Sequence, residues 1–376
     1  MNEPSSTTQA TTPPTEMLGS AKPRMEWIDA MRGFTMLLVV AYHVSNHGFD
    51  ENPRVSTYLY SFVLFRMPLF FFISGFFSYS AKIMWSAKTL GALTWKKFRI
   101  QMLPTIIFFS FYVIVSKPHF WEGAWSYICN DMKGGFWFTY VLLLMFVIYY
   151  LYAYAESKIL RWWKGRGWAH SWIPIASFWF IWLCIYATWY MPSWFTYPKH
   201  IFFQWTSFGQ VIMYFHFFLA GNIVHRYWDN FQRLFDAKWF VPIVLTVAII
   251  CLSEFIKWHT LHRQWINLPR TLAMYSLMTI VVLYFRHYAD AFSKNTAIGR
   301  ALQYIGVRTL DIYLIHVLFI PKLPFVGVWL KSVHNPFAID ILLSLAGGIL
   351  VTSLCIIVSN IFRMSPLLKY YLFGRK

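Results

Sequence analysis

The stretch Trp27–Gly48, WIDAMRGFTMLLVVAYHVSNHG, decides how this chain is read. It is apolar over about the 20 residues that a helix needs to cross a bilayer, yet it carries Arg32 and, eleven residues on, His43. Ionisable side chains inside such a segment are costly, so they face a bundle interior or a wet cavity and mark function. At about 1.5 Å and 100° per residue, Arg32 and His43 fall on nearly one face of a helix, roughly 16 Å apart along its axis. Arg32 then lies at the cytoplasmic edge and His43 past mid-depth. His47, one turn further, carries this polar stripe to the external surface.

The rest of the chain has the same character. It is 58% hydrophobic, 21% aromatic and only 13% charged, with a mean hydropathy of +0.45, which sets it apart from soluble proteins of 376 residues. The formal charge of +18 would suggest nucleic acid in a soluble domain. Here the basic residues fall between apolar runs, where they set topology, so no nucleic-acid partner is expected and the bilayer is. Residues 1–25 are rich in Ser, Thr, Pro and Ala without an apolar run, and read as a disordered cytoplasmic tail. Cys129, Cys184, Cys251 and Cys355 lack metal-ligand spacing, so neither a metal nor a disulfide framework is implied.

Apolar stretches of about 17–25 residues give ten candidate spans: Trp27–His47, Tyr58–Tyr79, Ile100–Ser116, Phe136–Ala155, Trp172–Tyr190, Ser207–Val224, Trp239–Ile256, Leu268–Phe285, Leu302–Ile320 and Phe337–Phe362. Lys and Arg concentrate in alternate connections, as cytoplasmic loops require. Lys82, Lys88, Lys96, Lys97 and Arg99 lie on one side with Lys158, Arg161, Lys164, Arg166, Arg363, Lys369, Arg375 and Lys376. Asp50, Glu51, Arg54, Lys117, Glu122, Asp131, Lys133 and Lys199 mark the other. The fold expected is an all-α polytopic membrane bundle of about ten helices with both termini cytoplasmic. A membrane domain fills 26–365, followed by a short cytoplasmic tail, 366–376. Pro321 and Pro324 suggest a short re-entrant or interfacial element.

Further polar groups fall at the depth of His43. Arg66, in RMPLFFFISGFF, lies roughly 12 Å below the outer edge of the second span. His216 on the sixth span and His316 on the ninth reach a similar level, so these groups are candidates for one shared cavity. Asp311 is shallower and suits pairing with a cytoplasmic-side Arg or Lys. Each has a plainer reading beside it. Arg32 alone is a snorkelling anchor, Arg66 an interhelical ion pair, and the histidines helix–helix hydrogen bonders. The cluster Lys96-Lys97-Phe98-Arg99 at the start of the third span suits phosphate groups, or serves topology alone.

Arg32, ten intervening residues and His43, in IDAMRGFTMLLVVAYH, resemble the R-x10-H signature of the acyltransferase-3 family. RMPLFFFISGFF from Arg66, KKFRIQMLP from Lys96, FWFTYVLLLMF from Phe136, HFFLAGNIVHRY from His216 and IGVRTLDIYLIH from Ile305 resemble family blocks in the same order. The stretch FRMPLFFFISGFFSYS and the C-terminal RMSPLLKYYLFGRK are most similar to the periplasmic-glucan succinyltransferase branch. The resemblance implies a multi-pass O-acyltransferase of a bacterial plasma (inner) membrane. Its donor is acyl-CoA from the cytoplasm, bound as substrate with no permanent cofactor, and its acceptor a hydroxyl of a carbohydrate or lipid-linked glycan. Arg32 and His43 correspond to the signature pair, and Lys96 and Arg99 to the family's basic R-x-x-R element, with Lys in the first place.

On that reading His43 is the general base on the acceptor hydroxyl. Arg32 holds donor phosphate or the pantetheine approach, and Arg66 stabilises the oxyanion or an acidic acyl group. An acylated His43 intermediate is the competing route. The alternative from another class is a proton-coupled glycan transporter or flippase using His43, Arg66 and His316.

Overall fold

A computed structural model describes residues 25–50, 57–164, 172–190, 201–260, 267–333 and 337–373. The expected tail up to residue 24, and the loop charges Glu51, Arg54, Arg166, Lys199, Arg375 and Lys376, lie outside the described residues. Every regular element among the described residues is helical.

All ten expected segments are helical, with changes that matter for function. The first helix, α1 (Glu26–His43), runs on through a π turn over Val44–Gly48. Glu26 and Asp29 in its first turn complement the positive end of the helix dipole. Next comes α2 (Thr57–Phe76), then α3 (Ala87–Lys97), where the Ser86 side chain accepts the Thr89 N–H at 3.1 Å as N-cap. A π turn at Phe98–Met102 joins α3 to α4 (Leu103–Ser116). Lys96, Lys97 and Arg99, read from the sequence as loop residues, therefore lie inside one helical run, 87–116. Lys and Arg are good helix formers, and nothing between Ala87 and Ser116 breaks the ladder except Pro104, which stands where α4 begins.

The helices α5 (Phe120–Ile128), α6 (Trp137–Lys164), α7 (Ile173–Tyr190), α8 (Ile201–Thr206) and α9 (Phe208–Arg226) follow. Next, α10 (Trp228–Phe235) and α11 (Phe240–Thr260) meet at a 79° bend, before α12 (Asn267–His287). The ninth segment is not one helix. It divides at Arg308 into α13 (Ala297–Val307) and α14 (Thr309–Ile315), which tightens into a 3₁₀ turn at His316–Leu318. Pro324 then opens α15 (Pro324–Ser332), the short element that the two prolines suggested, and α16 (Phe337–Met364) and α17 (Pro366–Phe373) complete the chain.

Four described helical runs are long and apolar enough to cross a bilayer: Ala87–Ser116, Trp137–Lys164, Leu268–His287 and Phe337–Met364. The bent pair Trp228–Phe235 and Phe240–Glu254 makes a fifth if it counts as one span. Other expected spans are shorter apolar helices, such as Ile173–Trp189 and Thr309–Leu318, or carry charge, as α1 does with Glu26, Asp29 and Arg32. Exposed apolar side chains on α4, α11 and α16, including Ile114, Ile249, Leu350 and Ile357, form the surface a lipid phase would cover.

Two glycine crossings set the centre of the bundle. A Cβ added to Gly33 of α1 would collide with the Leu302 carbonyl oxygen of α13, and one on Gly306 with the Asp29 carbonyl oxygen. Likewise Gly75 of α2 abuts the Phe218 carbonyl and Gly221 of α9 the Phe72 carbonyl. Small residues let backbones touch where two apolar phases give little drive for association. The run from α13 to α14 lies parallel to α1, since the Lys294 N–H donates to Glu26 at one end and the Leu323 N–H to the Gly48 carbonyl at the other. Asp311 takes the pairing expected of it: Arg363 of α16 reaches its Oδ2 at 2.5 Å and the Ser359 hydroxyl donates to the same oxygen at 2.7 Å.

Candidate active site

The parallel run of α1 beside α13 and α14 leaves a cavity of about 1120 Å³ between it and α2, α6 and the α3–α4 run. Its mouth lies at the end of the bundle where α1 starts, and four cations line it: Arg32, Lys82, Lys97 and Arg226. Arg32 donates to the Thr309 hydroxyl at 3.1 Å and stands 3.6 Å from Asp29. The break at Arg308 is what puts Thr309 opposite it. Arg226 pairs with Glu156 at 2.7 Å, and Glu156 also accepts from the Tyr152 hydroxyl. The Lys97 ammonium lies over the Phe146 ring, 3.6 Å from its centroid, and both side chains line the cavity.

Inward the lining turns apolar and ends at Met36, Val39, Met67, Phe70 and Tyr313. Tyr313 is fixed there, donating to the Gly135 carbonyl at 2.5 Å and accepting the Phe138 N–H at 3.2 Å. One helical turn beyond Val39 stands His43. Its ring is 5.0 Å from that of His316 and 5.4 Å from that of His47, nearly parallel to the latter. Tyr42 meets His43 edge-on, and the Arg66 guanidinium lies 3.6 Å from the Tyr42 ring centroid. His47 is exposed, so this cluster opens toward the far end of the bundle, opposite the basic mouth.

The cluster is short of partners. His43 Nδ1, His316 Nε2, and Nε and Nη1 of Arg66 are buried without a hydrogen bond among the described residues. Arg66 is only 8% exposed. A buried guanidinium without a carboxylate is a strong unmet demand for an oxygen ligand. Two imidazoles supply nitrogen bases beside it. The arrangement can deprotonate a hydroxyl and stabilise negative charge on oxygen at one spot.

The sequence-derived candidates divide accordingly. His43, Arg66, His316 and His47 come together, and Arg32 takes the cavity mouth. His216 does not join them: its Nδ1 is 2.7 Å from the Tyr275 hydroxyl and its ring packs on Tyr186 and Phe217. It is a helix–helix hydrogen bonder between α9 and α12. Lys96 is exposed and, like Arg99, does not line the cavity, whereas Lys97 does. Adjacent helical residues differ by about 100°, and the π turn at Phe98–Met102 shifts the register again, so only one of the three basic side chains lines the cavity. Of the four cations, Lys82 and Arg226 had no role assigned from the sequence, whereas Lys97 belongs to the cluster read there as suited to phosphate groups. Among the described residues no group of three His, Cys, Asp or Glu side chains is arranged to hold a metal ion.

The family model for acyltransferase-3, described as an acyltransferase domain, matches residues 25–360, from the start of α1 to the last turns of α16. Neither the curated proteins nor the solved structures include a significant match.

Proposed function

Since the chain belongs to the acyltransferase-3 family, we propose that it is a membrane O-acyltransferase moving an acetyl or succinyl group from cytoplasmic acyl-CoA to a hydroxyl of a cell-surface or periplasmic glycan. The observation that carries this reading is one juxtaposition. A cavity with a basic mouth ends at Val39, one turn from a histidine and arginine cluster that opens on the opposite face.

The Lys and Arg excess around the mouth supports a cytoplasmic placement of that end. Arg32, Lys82, Lys97 and Arg226 offer charge-assisted contacts to the phosphates of a nucleotide-bearing donor. Small-molecule pockets run to about 1,000 Å³, so a cavity of about 1120 Å³ suits a ligand as large as a coenzyme A thioester. The apolar inner lining suits the pantetheine arm, which brings the thioester to the His43 level. The acceptor enters from the His47 side. His43 removes the hydroxyl proton, the oxygen attacks the thioester carbonyl, and Arg66 meets the developing oxyanion or an acidic acyl group. The C–S bond then breaks, and the thiolate takes up the proton held by His43.

The test is release of free thiol from acyl-CoA by purified protein supplied with candidate glycans, compared with His43→Ala. Wild type is expected to turn over and His43→Ala to lose at least about a hundredfold. Glycan passage across proteoliposomes without thiol release would instead favour a transporter.

A further inference from the structure

His316 is tied down at one ring nitrogen and bare at the other. Its Nδ1 lies 2.7 Å from the Tyr313 carbonyl oxygen and 3.2 Å from that of Ile312. Carbonyls only accept, so Nδ1 carries the hydrogen and donates. In a neutral imidazole this leaves Nε2 as an obligate acceptor. That nitrogen is buried without a partner among the described residues, in a side chain 1% exposed. A buried acceptor left unmatched costs stability. A group that can match it is His43, whose Nδ1 is also buried without a partner among the described residues. The ring centroids are 5.0 Å apart and the planes tilted by 47°, a spacing at which two imidazole nitrogens turned toward each other come within hydrogen-bonding distance, about 2.7–3.2 Å.

We infer that His316 is the positioning residue of a histidine dyad: its Nε2 accepts the Nδ1–H of His43 and so holds His43 in the tautomer whose Nε2 faces the acceptor hydroxyl. This rests on the acyl-transfer reading above and assigns His316 its part in it. The acceptor proton moves to His43 Nε2, and the acceptor oxygen bonds to the thioester carbon. When the C–S bond breaks, that proton passes to the thiolate. His316 keeps its own proton throughout. Its lone pair stabilises the transient His43 imidazolium, which Arg66 and its positive charge would otherwise disfavour. A neutral histidine thus fills the orienting place that a carboxylate holds in other base-assisted nucleophile systems.

Two conservative substitutions separate this role from simple anchoring. In His316→Asn the side-chain amide can still donate to the Tyr313 carbonyl, but nothing stands where Nε2 was. In His316→Gln an amide oxygen can occupy the Nε2 place. The dyad predicts that His316→Asn lowers kcat about a hundredfold with both KM values unchanged, and that His316→Gln recovers at least about tenfold of it. Wild-type kcat in His316→Asn, or the reverse order of the two variants, would overturn it. So would a loss seen only in acceptor KM. The resting protein gives a second readout that needs no variant: ¹⁵N imidazole shifts should report the Nδ1–H tautomer at His316, and an Nε2–H tautomer contradicts the dyad. The two levels fail differently. No thiol release by wild type removes the acyl-transfer reading and the dyad with it, whereas turnover that needs His43 but tolerates His316→Asn removes the dyad alone.

Discussion

The Arg66 guanidinium lies 3.6 Å from the centroid of the Tyr42 ring and has no carboxylate partner among the described residues. Tyr42 immediately precedes His43, so the cation and the base are set by one turn of α1 and one face of α2. A ring face satisfies a cation only partly. The remaining demand is directed at whatever oxygen arrives beside His43.

Removing that cation should separate stability from activity. Arg66→Met takes away a buried charge that no acid among the described residues compensates, so thermal stability in detergent should be unchanged or raised. Turnover should fall about 100- to 1,000-fold, the usual loss on deleting one oxyanion-stabilising group. Parallel thermal melts and thiol-release rates check both halves.

The donor contact can be assigned to one lysine out of a basic cluster. Lys97→Met should raise the KM for acyl-CoA about tenfold, the worth of one charged hydrogen bond. Lys96→Met should leave it unchanged, because Lys96 is exposed and outside the cavity. Steady-state kinetics on the two variants decide between the structure and the R-x-x-R correspondence.

Glycines should differ sharply in tolerance. Gly306→Ala drives a methyl into the Asp29 carbonyl at the α1–α13 crossing, and overpacking of this kind costs about 1–3 kcal/mol or prevents folding. Nothing lies within 4 Å of a Cβ added to Gly91, inside α3. Gly91→Ala should therefore be neutral or stabilising by about 0.5–1 kcal/mol. Expression yield and thermal melts of the two variants test this.

The Asp311–Arg363 pair should matter for stability rather than chemistry. The Asp311 side chain is 4% exposed and that of Arg363 16%. Asp311→Asn leaves a largely buried guanidinium without its counter-charge, which typically costs about 3–5 kcal/mol. A lowered melting temperature with an unchanged KM for acyl-CoA is the expected result.

How far the sequence could be read is clear from individual residues. Counting helical rise put Arg66, His43 and His316 at one depth, and the structure brings them together. The same count put His216 there, yet it faces Tyr275. Rise gives depth, but the position of a helix around the bundle depends on which helices pair, and here the glycine crossings decide that. Single-residue register was equally out of reach. The π turn at Phe98–Met102 and the break at Arg308 select Lys97 over its neighbours and bring Thr309 to Arg32. Pro104 follows the first irregularity and Gly306 precedes the second, but neither residue tells which side chain is turned toward the cavity.

Donor and acceptor should reach the His43 cluster from opposite ends of the bundle. The most direct measurement places acyl-CoA on one side of oriented proteoliposomes and a glycan acceptor on the other, with ester formation followed by mass spectrometry. Ester should form when acyl-CoA is on the side of the Arg32 and Lys97 mouth and the glycan on the His47 side, and it should vanish in His43→Ala. Ester formed equally well with both substrates confined to the His47 side, or undiminished in His43→Ala, would rule out two-sided transfer at His43.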